Sequence, residues 1–179
     1  MEPPDSVGWL AGRLAEAFPD ASVELVGEQP LPAGSLDPLR GQLVSPRVLE
    51  AAAALREELG VELLLWVVAG DAYAPGLNFV FGEALLAGGA AVVYTARLHQ
   101  SFYGLPEDGQ LYLERLLKES LHELGHALGL GHCSHPRCVM RFSNSILEVD
   151  EKAPAYCRRC SRLLEERGVR VSPRYRLPA

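Results

Sequence analysis

The sequence lacks the long apolar run that a membrane-spanning helix requires. Its best candidate, residues 63–69, ends at Gly70 and Asp71, well short of the roughly 20 apolar residues that cross a bilayer. Residues 1–5 are acidic and proline-rich, without the basic start or the apolar core of a secretion signal. We therefore expect a cytoplasmic protein with no membrane partner.

The sequence also lacks an excess of positive charge. Lys and Arg number 17 against 23 Asp and Glu, for a net charge of −6, so no broad basic surface for nucleic acid is expected. Repeats and low-complexity tracts are absent. With 179 residues, 48% apolar and 22% charged, the composition is that of an ordinary globular protein. We predict a single domain, residues 1–179.

Histidines are few, but three of the five lie close together in residues 122–132. His122 and His126 are four apart, so on a helix their imidazoles can reach one metal ion. Gly129 lets the chain leave the helix with a backbone angle that disfavours other residues. The exit brings His132 round as a third ligand. Three protein ligands and one open position are typical of catalytic rather than structural zinc.

Glu123 is the candidate catalytic residue, because it lies beside the first ligand and can reach a water at the metal. Zinc on three neutral imidazoles lowers the pKa of such a water towards ~7, and Glu123 can accept its proton as a general base. This chemistry predicts peptide-bond hydrolysis without a covalent enzyme intermediate. The alternative is a non-catalytic zinc protein that only binds partners.

The other two internal histidines are not expected to bind metal. His135 precedes Pro136, which holds it extended, in a loop that should be drawn towards a different site. His99 lies far from the motif in sequence. Both are predicted to be ordinary surface or core side chains.

The chain has only four cysteines, and all lie within 28 residues: Cys133, Cys138, Cys157 and Cys160. In a reducing compartment they are expected to bind metal rather than form disulfides. A closing C-x-x-C pair is common in tetrahedral zinc sites. A complete set of four ligands leaves no open position, so this second zinc should be structural. Unligated buried thiols and a redox C-x-x-C are the alternatives.

The extended histidine motif resembles the signature of the metzincin metalloproteases, whose metal lies above a methionine-containing turn. Met140, eight residues after His132, is the candidate for that turn. The cysteine pattern and residues 78–84 further resemble the archaemetzincins, a metzincin branch with a second, four-cysteine zinc site. The likeness runs from about residue 66 to residue 160. The spacing from Met140 to Cys157 is one residue shorter than usual in that family.

The resemblance implies an α/β, metzincin-like zincin domain that binds two zinc ions. Its upper half, about residues 1–131, would hold a mixed twisted sheet and the active-site helix. Its lower half, about 132–179, would be irregular and zinc-stabilised. An extended peptide would pair antiparallel with an edge strand at residues 78–83, although core packing explains those apolar residues equally well. The narrower expectation is an enzyme that is aminopeptidase-like or acts on small peptides; internal cleavage of proteins stays open.

Periodicity predicts the order of the secondary-structure elements. Helices are expected at four places: residues 7–18, 46–59 (capped by Ser45 and closed by Gly60), 111–130 and 157–167. Strands are expected at four places: residues 23–26, 61–68 as a buried central strand, 78–81 and 91–98. Residues 131–155 should be irregular.

Overall fold

A computed structural model describes residues 5–179 as a mixed α/β fold. The helices are α1 (Ser6–Ala17), α2 (Ser45–Leu59), α3 (Gly109–Ala127), α4 (Ile146–Glu151) and α5 (Arg158–Glu166). The strands are β1 (Leu36–Asp37), β2 (Gln42–Val44), β3 (Leu64–Val68), β4 (Ala72–Tyr73), β5 (Gly82–Ala84) and β6 (Ala90–Tyr94). Short 3-10 turns lie at Ala96–Leu98, Gln100–Tyr103 and Pro173–Tyr175. Each helix in this part of the chain is too short or too polar to cross a membrane.

The predicted mixed sheet is present as two three-stranded sheets. In the first, β6 is central, parallel to β3 and antiparallel to β5. In the second, β2 is central, antiparallel to β1 and parallel to β4. All five residues of β6 are buried, so the first sheet is covered on both faces. Strand β5 is left at an edge.

The predicted helices occur within a few residues of their expected bounds, but one cap was wrong. Ser45 is the first residue of α2 rather than its cap, and Val44 precedes it without a side-chain cap. The Ser45 hydroxyl instead donates to the Glu83 carboxylate. Gly60 closes α2 as predicted, at φ 66°, a conformation that glycine adopts without strain.

Two strand predictions were wrong because strand pairing is not a local property. Residues 23–26 form no strand, and Leu25 and Val26 are 62% and 54% exposed. Residues 61–68 were expected in the centre of the sheet. The observed strand, β3, pairs only with β6 and is an edge strand of its sheet.

Two further strands are displaced along the chain. Residues 78–81 were predicted as a strand, but the Asn78 carbonyl accepts from the Arg40 and Gln42 side chains. Val80 makes only an isolated bridge to Ala72. Regular pairing starts in β5, which pairs with β6. The strand predicted at 91–98 ends at Tyr94, where the chain coils into a 3-10 turn.

Helix α4 was missed within the segment predicted to be irregular. Ser145 is its N-cap and accepts the Glu148 N–H at 3.4 Å, while the Glu148 carboxylate accepts the Asn144 N–H. The S-x-x-E spacing is a capping-box signal, although the Glu148 carboxylate here binds the residue before the N-cap. The signal was therefore readable in the sequence.

The core consists of two clusters on either side of the first sheet. The smaller packs α2 on β3 and β6. The larger surrounds α3 and continues into the segment after it, through Met140, Val149, Tyr156 and Leu164. Helix α3 thus lies between the sheet and the C-terminal part of the chain, and both sides hold it in place.

Candidate functional site

Helix α3 is a rigid, largely buried support for the first two histidines. The Asp108 carboxylate accepts the Leu111 N–H at 3.0 Å and caps its N-terminus. Most positions in its second half are buried, including His122 and Glu123. Close packing on all sides fixes where these side chains project.

The chain leaves α3 through a glycine, as the sequence predicts. The helix ends at Ala127, and Gly129 has φ 104°, which disfavours residues with a side chain. The Leu130 N–H donates to the Gly125 carbonyl at 2.8 Å and closes the turn. The exit returns the chain to the face of the helix that carries the histidines.

The structure brings His122, His126 and His132 together. One ring nitrogen from each lies within 4.8 Å of the others, and the ring centroids are 4.6, 5.4 and 4.8 Å apart. His122 is buried and His132 is exposed. The group is therefore held from below by the core and open to solvent on the side of His132.

Backbone carbonyls determine which nitrogen of each helical imidazole is free. His122 Nδ1 lies 2.7 Å from the Val139 carbonyl oxygen, and His126 Nδ1 lies 2.7 Å from that of Leu130. A carbonyl can only accept, so both Nδ1 atoms carry hydrogen, and in the neutral imidazole each Nε2 then carries a lone pair. The two Nε2 atoms are 3.0 Å apart. Two facing lone pairs fit a shared metal ion.

The surroundings favour neutral imidazoles, the form that binds metal. Burial lowers the pKa of His122 well below 6.5, and the Lys152 charge adds to the effect. Burial also lowers the pKa of His126 and of His132. At neutral pH a metal ion would have no protons to displace from this group.

The Glu123 side chain projects from α3 towards the edge strand β5. A Cβ added at Gly82 would be 2.7 Å from Glu123 Cγ and 2.9 Å from Oε1, so the carboxylate packs directly on the strand backbone. Burial raises the pKa of Glu123 well above 4.5. The Glu119 charge raises it further, and Lys152 opposes the shift. The absence of a side chain at Gly82 makes room for the glutamate.

The four cysteines form a second candidate metal site. Their sulfurs all lie within 4.8 Å of one another, all four residues are buried, and none is in a disulfide. The His135 N–H points at Cys133 Sγ at 3.4 Å, and the Cys157 N–H at Cys138 Sγ at 3.3 Å. N–H donors to sulfur stabilise thiolates. Such a donor set fits a cation with tetrahedral coordination, such as zinc.

The cysteine group already contains one acidic thiol. Donation from Cys160, together with the N–H groups of Cys157 and Met140, lowers the pKa of Cys138 to about 5. The pKa of Cys160 is raised, because its proton is shared with Cys138. Burial raises the pKa of Cys133. A bound cation would stabilise the remaining thiols as thiolates.

Met140 packs against α3 between the two helical histidines. It is fully buried, and a Cβ added at Gly125 would lie 2.3 Å from its Sδ. The Arg141 N–H donates to the Cys138 carbonyl at 3.0 Å, which closes a turn around the methionine. The turn predicted at Met140 is therefore present beneath the histidine group.

The remaining histidines lie outside both groups, as the sequence predicts. His135 is exposed and accepts the Arg137 N–H at 3.2 Å. His99 is buried, stacks on Tyr112 at 4.1 Å and lies 3.3 Å from Glu107. Neither belongs to a group of residues that could hold a metal ion among residues 5–179.

Sequence reasoning missed several residues that shape the site. Gly82 and Gly125 provide space for Glu123 and Met140, and the Val139 carbonyl orients His122. Lys152 is buried, and its charge acts on His122 and Glu123. None has a local pattern that marks it, since each acts on a residue distant in sequence.

Known proteins match this chain in sequence and structure. A family model described as Peptidase family M54 matches residues 36–166. The archaemetzincin of Methanopyrus kandleri is 47% identical over 163 residues, which cover 87% of this chain and 89% of the relative. Its crystal structure aligns with TM-score 0.78 and 40% identity, covering 91% of this chain and 86% of that one.

A second solved structure is similar at lower identity. The zinc-dependent peptidase from Methanocorpusculum labreanum aligns with TM-score 0.80 and 29% identity, covering 88% of this chain and 92% of that one. The metzincin-like α/β fold predicted from the sequence is confirmed by these matches.

Proposed function

Because this chain belongs to peptidase family M54, the archaemetzincins, and is a zinc metallopeptidase, we propose that Glu123 is its general base and that His122, His126 and His132 hold the catalytic zinc. The observation that carries this assignment is the pair of Nε2 atoms on His122 and His126, 3.0 Å apart with a lone pair on each. Two such atoms repel at this distance. A divalent cation bound to both removes the repulsion.

The residues around the cation suit hydrolysis by water. Zinc on neutral imidazoles acts as a Lewis acid that polarises a carbonyl and makes water more acidic. Glu123 accepts a proton from the attacking water at a carboxylate oxygen and then transfers it to the leaving nitrogen. Gly82 supports this role, because it contributes no side chain that would cover the carboxylate.

The edge strand β5 is the proposed binding site for an extended peptide. It pairs with β6 on one side only, so its other edge can accept a substrate strand through backbone hydrogen bonds. Gly82, the first residue of β5, lies beside Glu123. The preceding Phe81 is buried in the core. The backbone at this position, rather than the Phe81 side chain, is therefore the part that can contact substrate.

The substrates of a peptidase are peptides or proteins, and a narrower proposal is that the enzyme is aminopeptidase-like or acts on small peptides. Two peptide sets with the same sequences, one with free and one with acetylated N-termini, separate the possibilities. Aminopeptidase-like action requires cleavage of the free set only. Cleavage of both sets at internal bonds, located by mass spectrometry, would replace this proposal with endopeptidase action.

We further propose that Cys133, Cys138, Cys157 and Cys160 hold a second, structural zinc. The close sulfurs and the two N–H donors to them support this assignment. All four residues are buried, so substrate has no access to the group. Four protein ligands would complete a tetrahedral shell and leave no open position for chemistry.

The test combines metal content with cleavage in matched variants. Elemental analysis should find two zinc ions per chain in the wild type and in Glu123→Ala. Glu123→Ala should lose cleavage by about 10²–10⁴-fold, because general-base catalysis is removed. His135→Ala, next to the same site in sequence, should keep both zinc and activity. An active Glu123→Ala enzyme, or a single zinc per chain, would contradict the corresponding part of the proposal.

A further inference from the structure

A buried ion pair lies beneath the candidate active site, and the mechanism above does not use it. Lys152 Nζ is 3.0 Å from Glu119 Oε1, and the two side chains are 0% and 4% exposed. The same ammonium donates to the Arg141 carbonyl at 3.3 Å. Lys152 therefore joins helix α3 to the turn formed by residues 138–141.

Glu119 lies on the face of α3 that carries the active-site residues. It precedes His122 by three residues and Glu123 by four, spacings that place side chains on one helical face. The negative charge of Glu119 and the positive charge of Lys152 both reach Glu123. The charges of the ion pair therefore act on the proposed general base.

The turn of residues 138–141 contacts the first histidine on its other side. The Val139 carbonyl accepts His122 Nδ1–H at 2.7 Å, two residues before the Arg141 carbonyl that binds Lys152. The Arg141 N–H donates to the Cys138 carbonyl and keeps the turn compact. A displacement of the Arg141 carbonyl would therefore move the group that orients the His122 ring.

A gain in folding stability does not by itself explain why this ion pair is buried. Apolar residues of similar volume often replace such pairs at no cost, because desolvation offsets the attraction between the charges. A second pair on α3, Arg115 with Asp150 at 2.7 Å, offers a comparison. Arg115 also donates to the Leu98 carbonyl and makes no hydrogen bond to the turn of residues 138–141. Of these two ion pairs, only that of Lys152 also binds the turn of residues 138–141.

We propose that Lys152 is a positioning residue for peptide hydrolysis. Its ammonium holds the turn of residues 138–141 at the distance from α3 at which the Val139 carbonyl orients the His122 imidazole. The inference rests on the proposed function of His122 and Glu123. It predicts that Lys152 contributes to kcat without touching substrate.

The test separates positioning from stability with a double substitution. Glu119→Leu/Lys152→Met removes both charges together and leaves no unpaired one. We expect its melting temperature to stay within a few degrees of the wild type. We expect kcat to fall by about 10–100-fold, with KM changed by less than about 3-fold, because ligand geometry rather than substrate binding is altered.

A second readout does not depend on activity. In zinc-free protein, the His122 Nδ1–H that donates to Val139 should give a protected signal in ¹⁵N-resolved NMR. The double variant should lose that protection. The matched control, Arg115→Met/Asp150→Leu, should keep both the signal and kcat, whatever its melting temperature.

The outcomes are distinct. Wild-type kcat and a protected His122 signal in Glu119→Leu/Lys152→Met would overturn the positioning role. If that variant is too unstable to purify, Glu119→Gln/Lys152→Gln, which also leaves no unpaired charge, decides by the same two readouts. Glu123→Ala is measured in parallel. If it stays active, the proposed function fails and the inference with it; if it is inactive while the double variant keeps wild-type kcat, only the role of Lys152 fails.

Discussion

Replacing Gly125 with alanine tests how closely Met140 packs on α3, the helix that carries His122 and His126. In a helix interior this change normally stabilises by about 1 kcal/mol. Here the added Cβ would lie 2.3 Å from Met140 Sδ and 3.0 Å from its Cε, well inside the ~3.5–4.0 Å of a normal contact. Met140 is fully buried, so its side chain can yield only by displacing other core atoms.

The expected magnitude follows from these two opposing effects. Overpacking a core costs about 1–3 kcal/mol, and the helix-propensity gain offsets about 1 kcal/mol of it. The net loss is on the order of 0–2 kcal/mol. At about 2–4 °C per kcal/mol for a chain of this size, the melting temperature should fall by up to about 8 °C. Since Val139 adjoins Met140, kcat/KM should fall by about 10–100-fold through a misplaced His122.

Thermal unfolding in the presence of zinc and peptide-cleavage kinetics measure the two effects. Gly12→Ala in α1 is the matched control, because an added Cβ there meets nothing within 4 Å; it should raise the melting temperature and leave kcat/KM unchanged. Gly125→Ala/Met140→Ala should be less destabilised than the sum of the single changes, since the clash is removed. If Gly125→Ala is as stable and as active as Gly12→Ala, Met140 does not pack on α3 as described.

Three further changes should give equally specific results. Cys157→Ser should remove one zinc ion per chain and lower both the melting temperature and the yield, because metal binding at a structural site contributes to folding. An unchanged melting curve would show that the site is dispensable. His132→Ala should abolish occupancy of the catalytic zinc in elemental analysis, whereas His135→Ala should not, and the opposite result would exchange their roles. Hydrogen bonds, chiefly the one from Ser101, lower the pKa of Glu107 to about 2. The ionised Glu107 therefore stabilises the folded state fully above its unfolded pKa of 4.5, and this stabilisation is lost as pH falls towards 2. The melting-temperature difference between wild type and Glu107→Gln should therefore shrink over that range, and a difference independent of pH would refute this origin.

The sequence alone determined the parts of the candidate site that depend on local geometry. Helical periodicity places His122 and His126 one above the other, and a positive φ at Gly129 directs the chain back towards them. These features involve residues within about three turns of each other. The histidine group, the exposed position of His135 and the family resemblance could accordingly be read before the fold was known.

Local signals also sufficed for most helices, including the glycine that closes α2 at Gly60. They located β3 and β6 but not the bounds and partners of the strands, because a strand exists only where a second strand satisfies its backbone. Residues 23–26 have the composition of a strand but no pairing partner. At Asn78 the backbone carbonyl binds the side chains of Arg40 and Gln42 instead of a neighbouring strand. No nearby sequence pattern indicates these contacts.

Only the tertiary structure decided what supports the site. Lys152 is 33 residues from Glu119, with which it pairs, and Gly82 lies far from the glutamate that it accommodates. Such contacts depend on how distant segments pack, and composition or periodicity does not encode them individually. The histidine motif is readable because one helix and its exit build most of it. Its supports are not readable, because each is a contact between segments that only the folded core brings together.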